Sequence, residues 1–101
     1  MVVEYIRYAI PVERHQEFEA AWSDAQQSLE DAPECLAFEV AHGVEEPEHY
    51  IVRIKWSSLE EHEQGFRQSP GFRPFFAAVK PFFDQIEEMR HYELTAIASE
   101  A

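Results

Sequence analysis

Residues 49–56, HYIVRIKW, decide the fold. In an extended chain Tyr50, Val52, Ile54 and Trp56 share one face, while Ile51, Arg53 and Lys55 share the other. The period is two, so the stretch reads as a strand. Both of its faces carry apolar side chains, so it needs cover on one side and at least partial cover on the other.

Working outward toward the N-terminus, Gly43 to Glu48 is a polar loop containing Gly43 and Pro47. Before it, Cys35 to His42 alternates around Leu36, Phe38 and Val40, a second strand with one apolar face. The short loop joins the two as an antiparallel hairpin. Further back, Phe18, Trp22, Ala25 and Leu29 recur at helical spacing, one apolar stripe of an amphipathic helix over about residues 11–31. Pro11 suits its first turn and Pro33 ends it. Val2 to Ala9, short and rich in β-branched and aromatic residues, is another strand.

Toward the C-terminus, Ser57 and Ser58 each begin a Ser-x-x-Glu capping box, reaching Glu60 and Glu61. They open a helix over about Leu59 to Gln68. Ser69, Pro70 and Gly71 interrupt it. A second helical piece presents Phe72, Phe75, Phe76 and Val79 inward, with Pro74 and Pro81 bounding or kinking it. The last strand runs from about Ile86 to Leu94, and Thr95 to Ala101 form a short tail.

The order is β-α-β-β-α-β. It predicts an α+β ferredoxin-like sandwich, a four-stranded antiparallel sheet with helices on one face. At 101 residues the chain makes one domain, 1–101, with its core over about 2–94. The sheet face without helices must be polar or covered, and a second copy of the chain is the simplest cover.

Composition excludes several roles. Lys and Arg number 8 against 20 Asp and Glu, a formal net charge of −12. Phosphate backbones and anionic lipids repel such a chain, so neither a nucleic acid nor a membrane is an expected partner. Cys35 is the only cysteine, so no internal disulfide forms, which suits a reducing compartment. Charges at Glu4, Arg7, Glu13 and Arg14 interrupt every apolar run near the N-terminus, and a cytoplasmic location is expected. Eight Phe, four Tyr and two Trp are many for so short a chain. Such rings fill a core, an interface or an apolar pocket.

The run WSSLEEHEQGFRQSPGFRPFFAAVKPFFDQIEEMRHYE, from Trp56 onward, resembles the antibiotic biosynthesis monooxygenase family, the dimeric α+β barrel group. The matching pieces are Trp56 closing the third strand, His62 on the following helix, the GFRxS stretch Gly65 to Ser69, and His91-Tyr92 in the last strand. The resemblance spans about residues 2–94. It implies a homodimer whose two sheets form a barrel-like interface, and a pocket between each sheet and its own helices. The family holds quinol monooxygenases, haem-degrading enzymes and signal-molecule isomerases. The haem-degrading branch carries a pattern like W-x-x-S-x-x-F-x-x-x-H. Here the corresponding residues are Phe66, Ser69, Phe72 and Phe76, and Phe76 stands at the haem-ligating histidine position. A phenyl ring does not coordinate iron, so this branch is excluded.

Within that frame the candidate catalytic residues are His62, Arg67 and His91. A neutral imidazole at His62 would take a proton from a phenol or quinol, and the ionised substrate would itself reduce oxygen, with no flavin or metal. His62 equally reads as a solvated histidine between Glu61 and Glu63. Arg67 would pair with a substrate oxyanion, or else with the acidic surface or the partner chain. His91, on the strand face opposite Tyr92, reads as a polar group at the base of the pocket or as a hydrogen-bonded histidine at the sheet surface. Trp22, Phe66, Phe72 and Phe76 are the expected pocket lining, and the same rings, with Phe75, Phe82 and Phe83, equally make a core.

No cofactor and no metal site is expected. The histidines His15, His42, His49, His62 and His91 form no H-x-x-x-H pair, no cysteine cluster accompanies them, and no phosphate-binding glycine loop or G-x-S-x-G elbow is present. His42 and His49 flank the hairpin loop and are close enough in sequence to meet. The functional expectation is a cofactor-independent monooxygenase-like enzyme acting on a small aromatic or quinol-type substrate. The alternative is a non-catalytic dimeric module that binds a hydrophobic small molecule or serves in assembly.

Overall fold

The structure, a computed structural model, describes residues 1–99. Four strands, β1 (Val2–Ala9), β2 (Cys35–His42), β3 (His49–Trp56) and β4 (Ile86–Glu93), form one antiparallel sheet in the order β2-β3-β1-β4. Helix α1 (His15–Glu30) follows a short 3₁₀ turn at Val12–Arg14, and helix α2 (Phe72–Val79) leads into a 3₁₀ turn at Lys80–Gln85. Both helices lie on one face of the sheet. This is the ferredoxin-like βαββαβ fold.

β3 has the two-faced character its sequence shows. Tyr50, Val52, Ile54 and Trp56 are buried, each 1% exposed or less, and His49, Ile51, Arg53 and Lys55 are half-buried on the other face. Flanked by β2 and β1, it is an interior strand. The stripe Phe18, Trp22, Ala25 and Leu29 of α1 is buried against it. Each large apolar side chain so buried contributes roughly 1.5–3 kcal/mol. Tyr8, Phe18, Tyr50 and Phe82 close one end of this layer with ring centroids 4.5 to 5.3 Å apart.

Several expectations are corrected. The helix read over about Leu59–Gln68 begins at Leu59 but widens into a π turn over Glu61–Phe66, closed by an Arg67 N–H to His62 carbonyl bond of 3.3 Å. Ser58 caps the start of this segment at Leu59, since its Oγ accepts from the Glu61 N–H at 3.0 Å. The first helix is split into the 3₁₀ turn and α1, and β4 ends at Glu93. In β2 a register shift between Cys35 and Ala37 leaves Leu36 46% exposed, so only Phe38 of the expected apolar trio packs on the core. Pairing puts His42 opposite Tyr50 on the helix side and His49 opposite Ala9 on the bare side, so these two histidines do not meet.

The bare face carries a shallow groove lined by Val3, Tyr5, Arg7, Ile51, Glu88, Tyr92 and Leu94. Tyr5 and Tyr92 meet edge to face at 5.7 Å, and Tyr92 is half exposed. Among the described residues no helix is long and apolar enough to cross a membrane.

Candidate functional site

A cavity of about 430 Å³ lies between the sheet and α2. Its floor is Glu4, Ile6 and Tyr8 of β1 with Ile54 and Trp56 of β3; Phe66, Phe72, Phe75 and Phe76 wall it, and Trp22 reaches in from α1. All four expected pocket residues, Trp22, Phe66, Phe72 and Phe76, therefore line it, as do His62 and Arg67. Phe82 does not; it packs on Phe18 and under the Arg14 guanidinium. His91 stands behind His62 and does not line the cavity.

One end of the cavity is polar. Glu4 projects from β1 among apolar neighbours and is only 3% exposed. The Trp56 indole N–H donates to its Oε1 at 3.1 Å. His62, 5% exposed, stacks on the Trp56 ring at 4.4 Å and 10°. Its Nδ1 and the His91 Nε2 share a hydrogen bond of 2.9 Å, and its Nε2 lies 3.6 Å from Glu4 Oε1. His91 Nε2 lies 3.9 Å from Glu4 Oε2. The pieces come from β1, β3, β4 and the π turn. In that turn His62 and Phe66 both face inward, one to the carboxylate and the other to the aromatic wall.

Burial sets the electrostatics. It disfavours charge on both groups, raising the Glu4 carboxyl above its ordinary value and pulling the His62 imidazolium down to about 4. The Trp56 hydrogen bond, His91 and Arg67 each pull Glu4 back down, and His91 and Arg67 depress His62 further. His62 is therefore neutral at pH 7, able to accept a proton and weak as a base. Arg67 is exposed at the rim, and its side chain makes no hydrogen bond or ion pair among the described residues. Its guanidinium is available to an oxyanion entering the cavity. One donor atom from each of Glu4, His62 and His91 lies within 4.8 Å of the other two, so the same cluster has the make-up of a metal-ligand set. Phe76 is part of the apolar wall and packs on Phe72 and Phe83.

The fold and this arrangement meet a family. The antibiotic biosynthesis monooxygenase model matches residues 1–78. The chain belongs to that family. It is similar to the uncharacterized protein YczJ of Bacillus subtilis, 26% identical over 78 residues, covering 77% of this chain and 82% of that protein. Among solved structures it resembles a candidate antibiotic biosynthesis monooxygenase from Bordetella bronchiseptica, with TM-score 0.79 and 22% identity over 93% of this chain and 96% of that one. It also resembles SnoaB, described as a cofactor-independent oxygenase from Streptomyces nogalater, with TM-score 0.77 and 16% identity over 98% and 97% of the two chains. At such identities the two structures establish the shared fold.

Within this member of the family, two site residues were not singled out from sequence: Glu4 as part of the site, and Trp56 as its hydrogen-bond donor. A signal for Glu4 exists. Glu4, Ile6 and Tyr8 share a strand face that is otherwise apolar, and an acidic residue on such a face is either a solvated interruption or a buried functional group. Only its alignment with His91 across β1 and β4, and with Ile54 across β1 and β3, distinguishes the two.

Proposed function

We propose that the protein is a cofactor-independent monooxygenase-like enzyme that acts on a small aromatic or quinol-type substrate held in the 430 Å³ cavity. One observation carries this reading: an apolar, ring-lined space ends in a buried imidazole and carboxylate with a guanidinium at its rim. Flat aromatic molecules fit such a lining, and the polar end fixes which edge enters first. His62 takes the phenolic proton and Arg67 pairs with the oxyanion. Arg67 is needed because a base whose conjugate acid titrates near 4 is poorly matched to a phenol near 10. His91 and Glu4 hold the imidazole in place. The ionised substrate then supplies the electrons that reduce oxygen. Family membership and the likeness to SnoaB support the reaction class.

The test is oxygen consumption over a panel of hydroquinones and anthrones. At least one substrate should be turned over, and His62→Ala should lower the rate by roughly 10²–10⁴-fold. Consumption of none, with His62→Ala indistinguishable, would sink the enzyme reading. Binding of such molecules without turnover would leave the non-catalytic ligand-binding module.

The assembly belongs to the same proposal. The groove around Tyr5, Ile51, Tyr92 and Leu94 is partly apolar, and a second copy laid across it buries these rings. Light scattering should give about twice 11.8 kDa. A clean monomer at micromolar concentration would contradict it.

A further inference from the structure

We infer that Glu4, His62 and His91 form a binding site for one divalent transition-metal ion of the Zn²⁺ or Ni²⁺ type. The inference concerns ion binding and does not depend on the oxygenase reading.

Three observations support it. The first is spacing. Metal–ligand bonds of about 2.0–2.1 Å at tetrahedral angles separate donor atoms by about 3.3 Å. Here His62 Nδ1 and His91 Nε2 are 2.9 Å apart, His91 Nε2 and Glu4 Oε2 are 3.9 Å apart, and donors from all three residues lie within 4.8 Å of one another. The second is the hydrogen bond that orients the carboxylate. The Trp56 N–H occupies Glu4 Oε1, leaving Oε2 toward His91. Such an outer partner is what a ligating carboxylate requires. The third is burial without a close cation. Glu4 is 3% exposed, and its nearest basic neighbours are the two imidazoles. A buried carboxylate is ordinarily paired with a cation or a metal.

Donor chemistry selects the ion. Two imidazole nitrogens and one carboxylate oxygen suit Zn²⁺, Ni²⁺ and Fe²⁺, whereas Mg²⁺ and Ca²⁺ demand oxygen ligands. Glu4 and His62 also line the cavity, so an ion here keeps a coordination position toward it. An ion that takes the His62 lone pair removes that ring from proton transfer, so Zn²⁺ inhibits any turnover that uses His62 as base.

The experiment is calorimetric titration of the tag-free chain, first stripped with EDTA, using ZnCl₂, NiCl₂ and MgCl₂. Zn²⁺ and Ni²⁺ should saturate at one ion per chain, and Mg²⁺ should give no saturable heat. His91→Ala and Glu4→Gln should each weaken binding at least about tenfold. His49→Ala should leave it unchanged, because Glu46, Glu48 and His49 form a separate, largely exposed cluster. In case a variant fails to fold, the unaltered chain gives a second readout: titration with Zn²⁺ should shift the ring-proton resonances of His62 and His91 and leave those of His15 and His42 in place. Absence of saturable binding, loss of binding in His49→Ala, or unmoved His62 and His91 resonances would overturn the inference. None of these outcomes bears on oxygen consumption by the metal-free chain.

Discussion

The two ends of β3 carry nearly the same chemistry and use it differently. At one end His42 stacks on Tyr50 at 4.3 Å and 4°, with His15 against the same ring and Glu19 accepting from the phenol. At the other end His62 stacks on Trp56 at 4.4 Å and 10°, with His91 behind it and Glu4 accepting from the indole. Each end has two histidines, one carboxylate and one aromatic donor. At the Tyr50 end both imidazoles bond to backbone carbonyls, His15 to Ile10 at 2.9 Å and His42 to Pro47 at 2.6 Å, and Glu19 is exposed. At the Trp56 end the imidazoles bond to each other, the carboxylate is buried, and a cavity opens beside them. Residue types alone do not separate these two clusters. What separates them is that the imidazoles of one are committed to backbone carbonyls, whereas those of the other bond to each other beside a cavity.

The largest effect that tests this contrast is Trp56→Ala. It removes a fully buried ring and at once strips Glu4 of its one direct hydrogen-bond donor. Large-to-small truncation of a buried aromatic costs about 3–5 kcal/mol, and the stranded carboxyl adds to it. Urea unfolding measures it. A loss below about 2 kcal/mol would mean that the Trp56 end is not packed as described.

Acid stability is the next effect. In the unfolded chain His62 titrates near its ordinary value of 6.5, and in the folded chain near 4. Between those values the unfolded state binds more protons, so stability falls as pH drops from about 6.5 toward 4, and the loss is complete below the lower value. That difference corresponds to up to about 3 kcal/mol. Glu4 has the opposite sign. Its raised value means the folded state keeps a proton that the unfolded state releases above 4.5, so its contribution is lost as pH rises through that window. His62→Gln should flatten the acid limb of a stability–pH curve, and Glu4→Gln should flatten the loss on the other side. An acid limb unchanged in His62→Gln would show that this imidazole is not buried neutral.

The scaffold was largely legible in the sequence because β3 alternates strictly and α1 keeps one stripe. β1, β2 and β3 begin and end where the alternation does. The π turn was not legible. A bond from Arg67 to His62 skips one residue more than an α-helical bond, and no side-chain pattern over so few residues distinguishes the two. That turn sets His62, and so the site was only half visible. The aromatic lining followed from the ring-rich second half. Glu4 was missed because its role depends on what lies across the sheet and above it, His91 and the π turn, both more than 50 residues away in sequence.

The smallest effect is the most exacting test of the comparison. Tyr50→Phe keeps the ring that His42, His15 and Phe18 pack against and deletes only the hydroxyl. Glu19 then returns its carboxylate to water, so the loss should be about 1 kcal/mol or less. Trp56→Phe is the matching change at the other end. It also keeps a ring and deletes a donor, but Glu4 has no water to return to and bears a desolvation cost of roughly 1–3 kcal/mol. The hole left by the smaller ring adds to that. Measured side by side in urea, Trp56→Phe should therefore cost at least about 1 kcal/mol more than Tyr50→Phe. Equal losses would mean that Glu4 reaches solvent as readily as Glu19, and the distinction drawn between the two ends of β3 would collapse.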